Sequence, residues 1–234
     1  MKTVISFILF LLVSWGNFNE DYSWYYPEWV KKAKYNEPIK VLDTESALGR
    51  YAVKTKEIGL KDLVKFHGHL CDGLVISYIE LKEVLKLLFP DSVIDRTDLR
   101  AVSKNGPCWV DAVMYLTGAR INFKTLRIDN SIGDGFIVQR ISTGEAYSVH
   151  LKEGVFPKEM AELEGKIKKT RFAGNPVKAE DINRLEKMAE ELIRKLLNTP
   201  PSELLEIRKL ENYQFVPIDL FGERTDVLNK NMPR

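Results

Sequence analysis

The sequence predicts an α+β fold, with helices packed on a mostly antiparallel sheet and a helical C-terminal extension. Three observations predict it. Leu74, Val75, Ile79, Leu81, Val84, Leu85 and Leu88 recur at helical spacing from about Asp72 to Leu88, and Pro90 closes the run. "GFIVQRI" (135–141) and "AYSVHL" (146–151) are strand-like runs joined by the turn Thr143-Gly144-Glu145, the pattern of a hairpin. Beyond Pro157 the chain is charged and amphipathic, with Ile182, Leu185, Met188, Leu192 and Leu196 forming one stripe between Ala179 and Leu197.

The other elements fall between these. Leu60, Leu63 and Val64 predict a helix that breaks near Gly68. Leu99 to Val102 reads as a short strand, and Asn105-Gly106-Pro107 as a turn. Trp109, Val113, Met114 and Leu116 predict a helix ending at Gly118, a residue suited to the C-cap. Ile121 to Ile128 is strand-like. After Pro200-Pro201 a short helix is expected over Ser202–Leu210, then an extended tail.

Four segments follow. Residues 1–16 read as a signal peptide or a retained membrane anchor. Lys2 is a short basic start, Val4 to Val13 an apolar run short for a bilayer core of about 30 Å, and Ser14-Trp15-Gly16 a cleavage site. Either form places the folded part outside the cytoplasm, in a periplasmic or other extracytoplasmic space, and cleavage leaves no membrane insertion. Residues 17–58 form an aromatic arm, irregular over 17–45, with a short helix from Glu28 to about Lys34. Residues 59–156 are the α+β core, and 157–234 the helical extension. The net charge of +2 over 234 residues gives no basic stripe for nucleic acid.

Chemistry concentrates in two short segments. In Phe66-His67-Gly68-His69-Leu70-Cys71-Asp72-Gly73 the glycines favour a loop, and alternate residues of an extended loop face one side. His67, His69 and Cys71 therefore converge if the loop is extended. In Asn105-Gly106-Pro107-Cys108-Trp109-Val110-Asp111, Cys108 opens the next helix, as Cys71 opens its own. A helix N-terminus favours thiolate, the form that binds metal or attacks. Histidine and thiolate ligands suit zinc first, and also iron, nickel or copper. A site with fewer than four protein ligands keeps a position for water or a small-molecule ligand.

Plainer readings stand beside this one. The only two cysteines, Cys71 and Cys108, form a structural disulfide equally well in an exported chain. His67 caps a helix, Asp72 serves as an N-cap, Asp111 is a first-turn acid, and His150 is a surface histidine. A Cys71–His69–Asp111 nucleophilic triad lacks any oxyanion motif.

At "FHGHLCDG" and "CWVDAVMYLTG" the sequence resembles the FmdE-like family, which takes its name from formylmethanofuran dehydrogenase, over roughly Leu63 to Leu151. The resemblance implies an α+β core, often a homodimer, with a metal or active site built from His67 or His69, Cys71 and Cys108, and with Asp111 and Thr117 nearby. Asp72 stands where the family usually has proline. Arg120, Asn122 and Lys124 stand where it usually has glycines. With no cysteine after Cys108, the zinc finger that many members carry is not expected. The expectation is an exported metal-binding protein that binds or processes a small ligand. A non-catalytic metal- or cofactor-handling module is the alternative, and the sequence does not decide whether the chain is an enzyme.

Overall fold

A computed structural model describes residues 23–46 and 51–218. The leader read over residues 1–16 lies outside them. The α+β class holds: helices and two mixed sheets enclose one core.

The centre is α3 (Asp72–Leu88). Its apolar positions are so dense that almost every side along its length is buried. It packs against α4 (Pro107–Thr117), against α6 (Ala179–Asn198), and against the sheet strands β6 (Phe136–Arg140) and β7 (Ala146–Leu151). The main sheet runs β5-β4-β6-β7-β8, adding β4 (Leu99–Ser103), β5 (Leu126–Ile128) and β8 (Leu205–Lys209). The pairs β4–β6, β6–β7 and β7–β8 are antiparallel, and β4–β5 is parallel. The predicted hairpin is β6–β7, with Ile137 opposite Ser148 and Val138 opposite Tyr147. The strand-like stretch 121–128 divides into a 3-10 turn at Ile121–Phe123 and β5.

The arm is less irregular than expected. After α1 (Glu28–Lys31) it supplies β1 (Ile39–Leu42) and β2 (Lys56–Ile58), which form a second sheet with β3 (Val93–Asp95) in the order β2-β1-β3. Strands of three or four residues are too short to show a period in sequence. Tyr26, Val30, Ile39 and Val41 are buried in the common core. The arm is also tied to α3 by hydrogen bonds: the Tyr78 hydroxyl donates to the Glu37 carbonyl at 2.7 Å, and Lys82 Nζ to the Tyr35 carbonyl at 2.5 Å.

The extension is not wholly helical. α5 (Lys158–Phe172) and α6 pack together, but the helix expected over Ser202–Leu210 is only α7 (Pro201–Leu204). The chain then turns into β8, which pairs with β7 from Leu151↔Leu205 to Tyr147↔Lys209. The open edge of β7 wins: pairing satisfies a row of backbone groups that a short helix would leave exposed.

Candidate metal centre

Two helix starts and one helix end meet at a point. α2 (Leu60–His67) ends on Gly68, whose φ of 102° is left-handed and cheap only for glycine. The reversal lets the next helix begin at once, with Cys71 at the N-cap of α3. Cys108 is the second residue of α4, after Pro107. Gly73 makes the approach of α4 possible, because a β-carbon there would stand 3.1 Å from Cys108 Sγ.

His67 Nε2 lies 3.8 Å from Cys71 Sγ and 3.8 Å from Cys108 Sγ, and the two sulfurs are 3.5 Å apart. Both cysteines are free thiols. The other ring nitrogen of His67 hydrogen-bonds Asp111 Oδ2 at 2.7 Å, and the imidazole is nearly fully buried. That bond fixes which nitrogen faces the thiols, as a carboxylate behind a metal-binding histidine does.

The donors of His67, His69 and Cys71 all lie within 4.8 Å of one another. His69 is exposed, its ring centroid 4.7 Å from that of His67. The convergence differs from the expected one. An extended loop was to align alternate residues, whereas His67 ends a helix and faces Cys71 across the Gly68 reversal.

The two thiols share protons unequally. The hydrogen bond with Cys108, reinforced by burial, pushes the Cys71 thiol far up. The same bond, aided by the His67 charge, draws Cys108 down to about 7. Burial, then the Glu164 charge, holds the Asp72 carboxyl above the usual range.

The donor set passes a geometric test for a metal. Zinc bonds of ~2.3 Å to sulfur and ~2.05 Å to nitrogen place tetrahedral sulfurs about 3.8 Å apart and sulfur and nitrogen about 3.6 Å apart; the 3.5 Å and 3.8 Å separations here differ from these by about 0.3 Å or less.

Two cavities flank the cluster and share Cys71, Asp72 and Glu164. One, of about 620 Å³, runs past His69 under Trp24, Tyr25 and Trp29 of the arm. The other, a cleft of about 1000 Å³, is lined by Ile76, Glu80, Cys108, Trp109, His150 and Phe156 among others. His150, read from sequence as a surface histidine, is half-exposed at the rim of this cleft and pairs with Glu206 Oε2 at 3.2 Å. Thr117 is not in the cluster. It lies at the far end of α4, buried, donating to the Val113 carbonyl at 2.5 Å and accepting from Ala119 N–H.

Sequence reasoning passed over Glu80 and Trp109. Glu80 had a signal, a carboxyl four residues after Ile76, on the same face of the helix. Trp109 enters the sequence reading only as one of the apolar positions that predict α4.

Fold and cluster together define the class: a small α+β protein with a histidine–cysteine centre of metal-ligand type. The family model described as "FmdE, Molybdenum formylmethanofuran dehydrogenase operon" matches residues 66–206, and the chain belongs to that family. A solved structure from Syntrophus aciditrophicus, that of an FmdE-like protein of the tungsten formylmethanofuran dehydrogenase type, is 19% identical. The likeness covers 65% of this chain and 72% of that one, with a TM-score of 0.37. No curated protein matches.

Proposed function

We propose that the chain binds one transition-metal ion, zinc first among candidates, through His67 Nε2, Cys71 Sγ and Cys108 Sγ. The observation that carries this reading is the triangle of donors at 3.5, 3.8 and 3.8 Å, with Asp111 behind His67. Thiolate with imidazole favours zinc or a neighbouring transition metal over magnesium or calcium. His69 is within reach as a fourth ligand; where it stays away, that position serves a small molecule entering from either cavity. A bound metal would supply a Lewis-acidic point there, and the protein's part is to hold the donors, orient His67 and shape access. Export by the leader at residues 1–16, and a homodimer, belong to the same reading.

The experiment is metal analysis of protein purified without added metal, with thiols counted before and after a chelator. One equivalent of metal is expected, with thiols that react only after chelation. His67→Ala and Cys108→Ser are expected to lose the metal while keeping the fold. Metal-free protein whose thiols appear only after a reductant would make the Cys71–Cys108 pair a disulfide and overturn the reading.

A further inference from the structure

The larger cleft contains two polar groups that the cluster does not use. Glu80 is 1% exposed, and among the described residues its Oε2 has no hydrogen-bond partner. Trp109 Nε1, a donor only, is also buried and, among the described residues, without an acceptor. Such groups cost stability when left unmade, so their presence in one wall asks for a reason.

They belong to one neighbourhood. Lys104 Nζ stands 3.5 Å from the centre of the Trp109 ring and is ion-paired with Asp134. The charges of Lys104 and Asp134 also act on Glu80. All four residues line the cleft, along the α3 face that carries Gly73, Ile76 and Glu80. Cys108 and Trp109 are adjacent in sequence, so this wall continues into the cluster.

We propose that the cleft is a binding site for a small flat molecule with an amide or lactam edge, which accepts from Trp109 Nε1–H and pairs with the Glu80 carboxyl. An amide edge presents an acceptor and a donor side by side. The first answers the indole. The second answers a carboxyl oxygen, and an amide serves a carboxylic acid as well as a carboxylate. Burial holds Glu80 well above the ordinary carboxyl range, and its other link is to the Leu151 backbone. A neutral acid at that depth adds a donor where an anion would be costly. Ile76, Leu151, Phe156 and the Trp109 ring give the flat faces of a ligand apolar contact.

The Lys104–Asp134 pair is the cover. Asp134 is 81% exposed, while Lys104, 21% exposed, lies over the Trp109 ring. A ligand that reaches the two groups beneath displaces this pair. This site adds to the metal reading without resting on it.

The test uses ¹⁵N-labelled protein, with and without zinc, titrated with benzamide and with toluene while the tryptophan indole N–H signals are followed. Trp109→Phe assigns the Trp109 signal. Benzamide is expected to move it downfield, toluene not to. Glu80→Leu is expected to weaken benzamide binding at least tenfold, and Glu80→Gln, which keeps a polar edge, to retain most of it. Should Glu80→Leu fail to fold, Glu80→Gln against a bulkier Glu80→Met decides the point. A Trp109 signal unmoved by benzamide up to its solubility limit in both metal states overturns the proposal. So does an equal response to toluene. Zinc uptake without a shift sinks this site alone, and a shift without zinc uptake sinks the metal reading alone.

Discussion

Glu80 and Lys82 are two residues apart on α3, both buried, and they face different surroundings. Lys82 is answered by its own chain: its ammonium donates to the Tyr35 carbonyl and lies 3.2 Å from Glu37 Oε2. Burial draws its pKa down, and the Glu37 charge opposes that. Glu80 is met on one side only. The Leu151 backbone reaches its carboxyl, and among the described residues Oε2 has no partner. A buried charge answered by its own chain holds the chain together. One left half-answered beside a cavity costs stability and is available to something else. Charge content alone does not separate them in sequence; the element packed against each does.

The largest effect is expected on the Lys82 side. Lys82→Ala removes a buried stem and its two contacts to the arm, leaving those that Tyr78 and Lys86 make to Glu37. Glu37 is half-exposed and regains water, which limits the penalty. Unfolding stability should fall by about 3 kcal/mol, measured by urea denaturation. Resistance of the arm to limited proteolysis should fall with it. A loss below about 0.5 kcal/mol, the level of an ordinary surface change, would place the arm's anchorage elsewhere.

Asp111 is an intermediate case. It answers His67 from a position about one-third exposed, so it orients a ligand more than it supports the fold. Asp111→Asn keeps the shape and weakens the hold on the imidazole. Metal affinity should drop about 10- to 100-fold, read by competition with a coloured chelator, with little change in the thermal midpoint. An equal drop in midpoint and affinity would show the pair to be structural.

The same contrast explains what was legible in the sequence. The boundaries of α3 and the β6–β7 hairpin were readable because their apolar periods run for many residues. Both cysteines were placed at helix starts for a local reason, glycine and proline beside them. β1, β2 and β3 were not readable, since their stability comes from pairing with one another rather than from a local pattern. β8 was misread as helix because the open edge of β7, its partner, is more than fifty residues away in the chain. Asp111 was visible as an acid one turn into α4, but its role appeared only once α2 delivered His67 to it. Glu80 needed the fold most: its neighbours Lys104, Asp134 and Leu151 come from three separate segments.

The smallest effect, and the one of opposite sign, is expected at Glu80. Its folded-state pKa is raised, so between the unfolded value near ~4.3 and the folded one the native chain holds a proton that the unfolded chain has released. Stability then falls as pH rises, with a limiting slope of about 1.4 kcal/mol per pH unit. Glu80→Gln removes the proton from the balance. The variant should match the parent at pH 4 and be the more stable of the two at pH 8, in parallel denaturant titrations. Lys82→Ala should show a loss at both pH values. Were Glu80→Gln to destabilise equally at pH 4 and pH 8, the carboxyl would be a fully answered structural group like Lys82, and the contrast between the two sides of α3 would disappear.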